Sequence, residues 1–127
     1  MFVNYVSKFC TMLEITDFQY DIFKALKKKE IILSIAQFVK KQYSSKLENT
    51  NSDKIIGSVT NYVDWALQAG ITKISNLEYF VSLCFNYNIK YEDLLYNKMI
   101  DSIVRYPSRI EDDKLFNIHY YLKYERT

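Results

Sequence analysis

The stretch Ser75-Asn-Leu-Glu-Tyr-Phe-Val-Ser-Leu-Cys-Phe85 decides the fold. Its apolar residues Leu77, Phe80, Val81, Cys84 and Phe85 fall at offsets 0, 3, 4, 7 and 8, one face of a helix and not an alternating strand. The opening Ser75-x-x-Glu78 has the form of a capping box, in which side chains satisfy the first orphan N–H groups. The spacing predicts an amphipathic helix at the centre of the core.

The same period continues on both sides. Upstream, a helix is predicted from about Asp53 to Ala69, with Ile56, Val59, Val63, Ala66 and Leu67 inward and Trp65 flanking. Gly70 then suits the left-handed position after a helix end. Residues Ser44–Ser52 are polar and aperiodic, a loop. Glu30 to Ser44 reads as a helix with Ile31, Ile32, Ile35, Phe38, Val39 and Tyr43 on its apolar face. A short helix before it starts at a second capping box, Thr16-Asp-Phe-Gln19. It carries Phe18, Ile22, Phe23 and Leu26, and ends at Lys27–Lys29, where cations suit the negative pole of the dipole. Downstream, Tyr91 to Tyr106 reads as one helix with Leu95, Met99 and Ile103 in line, ended by Pro107. A third box, Ser108-Arg-Ile-Glu111, opens a last helix with Ile110, Leu115, Ile118 and Leu122. The expectation is an all-α fold: a single-domain bundle of about five to six short helices over residues 1–127. Residues 1–11 would be a loosely attached extension ahead of an alternative start at Met12. The expected core is Phe38, Val59, Val63, Leu77, Phe80, Val81, Cys84, Ile103 and Ile118.

Composition agrees with that class. The 127 residues include 2 Gly and 1 Pro, too few for a turn-rich all-β fold. With 49% hydrophobic residues the chain is not of a disordered type. Residues 1–60 hold 9 basic and 6 acidic side chains, and residues 61–127 hold 8 and 9, so neither half has a nucleic-acid binder's bias. Lys24, Lys27–Lys29, Lys40 and Lys41 lie near Tyr20, Phe23 and Tyr43, but lysine on a solvated helix face is ordinary, and Asp17, Asp21 and Glu30 dilute the patch. No apolar run approaches the ~20 residues that span a bilayer. The first residues lack the features of a secretory signal, and Cys10 and Cys84 are expected as reduced thiols. A cytoplasmic location follows as the expectation, with no nucleic-acid or membrane partner.

Motifs for chemistry are sparse. His119 is the single histidine, so no His-rich metal set exists, and a lone helical His is more often structural than catalytic. Gly57 and Gly70 form no phosphate loop. The carboxylates Glu92/Asp93 and Glu111/Asp112/Asp113 stand at predicted helix starts, where acids suit the dipole. No catalytic residue, cofactor or metal is expected, and the chain is not read as an enzyme. The one compositional excess is tyrosine, 12 residues, of which Tyr62, Tyr79, Tyr87, Tyr91, Tyr96, Tyr106, Tyr120, Tyr121 and Tyr124 lie in the second half. Tyr covers large area with few rotors and is enriched at protein interfaces, so the excess points to a protein partner, with a general Lys-, Asn-, Ile- and Tyr-rich bias of the source as the equal alternative.

Tyr62-Val-Asp-Trp-Ala-Leu-Gln-Ala-Gly70-Ile-Thr72, followed by Leu77-Glu-Tyr-Phe80-Val-Ser-Leu83-Cys-Phe85-Asn-Tyr87-Asn-Ile-Lys-Tyr91-Glu92, resembles small bacterial proteins encoded beside type VI secretion effectors, spike proteins and effector-loading adaptors. Their pattern is an alanine-rich helix closing in Tyr-Gly-Ile-Thr, an acidic–Val–x–x–Phe helix, then Gly-x-x-Phe-Asp and a helix closing in Ile-Leu. Leu13–Gln19 and Ile35–Val39 are similar as well, so the likeness spans Met12 to Tyr120. In this chain the second glycine is replaced near Asn86–Asn88, and Phe-Asp by Tyr91-Glu92; asparagine tolerates the left-handed conformation. The resemblance implies an accessory role: a cytosolic immunity protein that binds and occludes a cognate secreted antibacterial toxin, or a chaperone that stabilises an effector before loading. The surface candidates for that partner are Tyr87, Tyr91, Glu92 and Asp93 at a helix–helix corner, and Glu111, Asp112 and Asp113 at the start of the last helix.

Overall fold

The computed structural model describes residues 17–105 and 110–125, with side chains from residue 24 onward. Those residues form six α-helices and a closing π-helical turn, with no strand among them: α1 Asp17–Gln42, α2 Ser52–Gln68, α3 Ile74–Asn86, α4 Tyr91–Tyr96, α5 Lys98–Arg105, α6 Glu111–Tyr120 and the π turn Tyr121–Glu125. The fold is a small all-α bundle. No helix among the described residues is long and apolar enough to cross a membrane. Thr16 of the expected box, Cys10, the 1–11 extension, Tyr106, Pro107 and Ser108 lie outside the described residues, and the side chains of Phe18, Gln19, Ile22 and Phe23 outside the described side chains.

The chain divides into two compact units, Met1–Ile31 and Ile32–Thr127. In the first, α1 is already helical from Asp17, and Lys27 Nζ lies 3.8 Å from Glu30 Oε2 on an exposed face. The two short helices expected here are one. Nothing between residues 17 and 42 is Gly or Pro, and Lys is a good helix former, so the Lys27–Lys29 run sits mid-helix and ends nothing.

The second unit holds the core. Ile32, Ile35, Ala36 and Val39 of α1 are buried, whereas Phe38 is 39% exposed. Phe38 is therefore no core residue: it sits about 100° round the helix from Val39, which takes the inward position. On α2 the inward face is Ile55, Val59, Tyr62, Val63 and Ala66, so Ile55 replaces Ile56, and Leu67 is exposed. α2 packs on α3 and α4, α3 on α6, and α5 on α6. From α3 come Leu77, Phe80, Val81 and Cys84; from α6 come Leu115 and Ile118. Burying each such large side chain contributes about 1.5–3 kcal/mol.

Two helix ends share one device. After α2, Gly70 (φ +90°) lets Gly70 N–H reach Leu67 O at 3.1 Å and Ile71 N–H reach Ala66 O at 2.9 Å. After α3, Asn88 (φ +55°) does the same, with Ile89 N–H to Cys84 O at 2.8 Å. Both are Schellman motifs, and Ile71 and Ile89 are buried as the apolar residue each motif carries. Asparagine thus does at residue 88 what glycine does at residue 70.

Helix starts depart from expectation. α2 begins at Asn51, whose Oδ1 accepts Lys54 N–H at 2.8 Å. α3 begins at Ile74 with Lys73 as cap residue and no capping side chain of its own, so Ser75 and Glu78 form no box. The single helix expected over 91–106 is two: Asn97 is extended (φ −81°, ψ 108°) and its Oδ1 caps Ile100 N–H at 2.9 Å. That break rotates the inward set, so Leu94, Ile100, Ile103 and Val104 are buried while Leu95 and Met99 are exposed. α6 starts at Glu111 behind an extended Ile110, which is exposed and not part of the apolar stripe.

Candidate partner-binding surface

Two of the candidate acids are committed within the chain. Glu111 Oε1 accepts the backbone N–H of Thr72 and of Lys73, both at 2.7 Å, so α6 supplies the cap that α3 lacks. Burial alone would push the Glu111 carboxyl up, but hydrogen bonds from Lys73, the Asn76 side chain and Thr72 outweigh it and hold its pKa below the ordinary carboxylate value. Beside it, Asp112 Oδ1 accepts the Asn76 amide at 2.8 Å and lies 3.8 Å from Lys73 Nζ. Asp113 is exposed.

At the other corner, Glu92 and Asp93 are exposed and Tyr91 is half-buried. Asp93 Oδ2 accepts Lys90 N–H at 3.1 Å, the reach-back of a third helical residue to its cap. Glu92 and Asp93 border a shallow groove of about 320 Å³ with Ile89, Tyr96 and Ile100. Behind it, Tyr62 donates its hydroxyl to Ile89 O. Burial first, then Cys84, Glu92 and Asp93, push the Tyr62 phenol up to about 12.

Tyr87 turns away from that groove's acids to His119. Its ring meets the imidazole edge-on at 6.1 Å, and Tyr79 meets it from α3 at 5.9 Å. Tyr79 Oη lies 2.5 Å from His119 Nδ1. Burial, then the neighbouring Tyr87, raises the Tyr79 pKa. The polar partner of His119 is a phenol, with no carboxylate paired to it among the described residues.

An arrangement the sequence shows only in part lies on the outer face of α6 and of the π turn that follows it. Leu115, Ile118 and Leu122 point inward. Phe116, Tyr120 and Tyr124, spaced by four, point out at 68%, 49% and 60% exposure. The Tyr120 and Tyr124 rings lie 4.9 Å apart, and Lys123 Nζ sits 5.1 Å from the Tyr124 ring centre. With His119 these residues line an open groove of about 320 Å³. Its signal was the i, i+4, i+8 spacing of aromatics on the face opposite the apolar stripe. Not all the tyrosines serve the surface: Tyr62 is core, Tyr43 donates to Ser82 O at 3.1 Å, and Tyr121 accepts the Asn97 amide at 3.2 Å. No group of His, Cys, Asp or Glu among the described residues could hold a metal ion. Comparison of the chain with family models, with curated proteins and with solved structures found no match.

Proposed function

We propose that the chain is an immunity protein: it binds a secreted antibacterial toxin and covers the toxin's active site, acting by occupancy and not by chemistry. The observation that carries the reading is the exposed aromatic ridge Phe116–Tyr120–Tyr124 on a helix that is otherwise firmly packed. Three aromatic rings in one stripe form an apolar patch whose burial is favourable, and tyrosines and other aromatics are the usual anchors of protein interfaces. Tyr79 and Tyr87 hold the His119 ring beside the ridge, and Tyr120 and Tyr124 pack on each other, which lowers the freedom they lose on binding. The identity of the partner class rests on the likeness of Tyr62–Thr72 and Leu77–Glu92 to proteins encoded beside type VI effectors. In this reading Asp113, and Glu92 and Asp93 with Tyr91 at the other corner, are the exposed residues offered to a basic partner, while Glu111 and Asp112 hold α6 in place.

The test is a pull-down of the tagged chain from its native cells, followed by co-expression with whatever protein co-elutes one to one. The expected result is a partner that arrests growth alone and is neutralised by the chain. A partner that is harmless alone, but needs this chain to stay in solution, would replace the reading with that of an effector chaperone.

A further inference from the structure

A second open groove, of about 580 Å³, is bounded by the end of α2, by α4, by α5 and by the start of α6. One wall is apolar, formed by Trp65, Leu94, Leu95 and Val104. Trp65 is backed by Phe80, the rings stacked at 5.2 Å and 13°. The charged groups lining it are Asp101, Arg105 and Lys114. Arg105 is matched, its Nε–H donating to Asp101 Oδ1 at 2.8 Å. Lys114 is not. Its part-buried Nζ donates to Ala69 O at 3.1 Å, and among the described residues no carboxylate lies within ion-pair distance of it. An ammonium has three N–H donors, and this contact uses one. The ammonium packs against Gly70, where a Cβ would stand 3.2 Å from Nζ. A partly desolvated cation without a counter-charge is unfavourable, and a carboxylate reaching it would form a charge-assisted hydrogen bond.

We propose that this groove is a second binding site for a peptide segment in which an acidic residue stands beside an apolar one. The apolar side chain lies on Trp65, Leu95 and Val104; the carboxylate takes the free donors of Lys114, with Arg105 alongside. A small carboxylate alone leaves the apolar wall wet, and a wholly apolar segment covers the Lys114 ammonium without pairing it. The acidic–apolar pair satisfies both. Lys114 and Phe116 are two residues apart, roughly 200° around α6. The groove and the aromatic ridge therefore face different ways, and the proposal does not depend on what the ridge binds.

Trp65 is the chain's single tryptophan, so its indole N–H resonance reports on this groove alone. The full chain is titrated with a panel of acetylated, amidated hexapeptides pairing Asp or Glu with Leu or Phe, and with the same peptides carrying Asn or Gln in place of the acid. The expected result is a saturating shift of the Trp65 resonance with acidic members, at least tenfold weaker for their amide twins. Lys114→Met should weaken the acidic peptides at least tenfold and leave the amide twins unchanged; Arg105→Gln, on an exposed side chain, should weaken them about threefold with the melting temperature intact. A Trp65 resonance that no peptide moves, or that acid and amide twins move alike, overturns the proposal. So does binding indifferent to both Lys114→Met and Arg105→Gln. Each of these results leaves growth neutralisation by the ridge unaffected, so the two readings fail separately.

Discussion

Glu111 Oε1 receives the backbone N–H of Lys73 at 2.7 Å, so the first residue of α6 caps the start of α3 from 38 positions away. A remote cap ties two helices together as well as satisfying an orphan donor, and α6 is the helix that bears the aromatic ridge.

Loss of that cap should be measurable. Glu111→Ala should destabilise the chain by about 1–2 kcal/mol, and Glu111→Gln by less, because an acceptor oxygen remains. Urea unfolding at neutral pH checks the order. The Glu111 pKa is lowered in the fold, so its contribution is present above the unfolded carboxylate value and is lost as pH falls through the lower folded value. The difference between wild type and Glu111→Ala should therefore shrink in acid.

Phe80 and Phe38 separate the core from its neighbours. Phe80 is 1% exposed and stacked on Trp65, so Phe80→Ala should cost about 3–5 kcal/mol and alter Trp65 fluorescence. Phe38→Ala should cost about 1 kcal/mol or less, as expected of a half-exposed ring. Chemical denaturation of both variants, with Phe80→Leu as a folded control, checks the ranking.

The two glycines should respond with opposite signs. Gly70→Ala places a Cβ at φ +90° and 3.2 Å from Lys114 Nζ, a cost of about 1–2 kcal/mol. Gly57 lies inside α2 with nothing within 4 Å of a new Cβ, so Gly57→Ala should stabilise by about 0.5–1 kcal/mol. Asn88→Gly should be neutral or mildly stabilising, since it removes the side chain from a left-handed position. Calorimetric melting temperatures read all three.

Tyr62 should titrate late. Its folded pKa, about 12, stands above the ordinary value of 10.0, so its neutral form is favoured by the fold. That stability is fully present below pH 10 and is lost as pH rises toward 12. Burial raises Tyr43 and Tyr79 as well, so ultraviolet titration should show several late phenols, and Tyr62→Phe should remove one of them. The same variant leaves Ile89 O without its donor and should cost about 1–2 kcal/mol.

The helical class was legible because Leu77, Phe80, Val81 and Cys84 repeat with the helical period, and all four are core. Gly70 was legible because a helix end needs its conformation. Three features were not legible, each for a reason. The boundary expected at Lys27–Lys29 relied on charge at a helix end, but charge without a Gly or Pro does not end a helix. The break at Asn97 needs only one extended residue whose side chain caps the next helix, and a single asparagine between Tyr96 and Lys98 does not announce that. The box at Ser75–Glu78 matched a local pattern, but a carboxylate 38 residues away supplied the cap, which no local window contains. For the surface, the tyrosine excess pointed to a partner, yet only the packed position of α6 shows Tyr120 and Tyr124 aligned with Phe116, and Tyr62 withdrawn into the core.

The most direct test of the central claim is calorimetric affinity of the chain for the protein that co-elutes with it one to one, wild type against Phe116→Asp/Tyr120→Asp. Two anchors of about 2 kcal/mol each, at 1.4 kcal/mol per tenfold, predict a loss of at least 100-fold with the melting temperature kept. Affinity within threefold of wild type in a folded double variant would contradict the ridge as the binding surface.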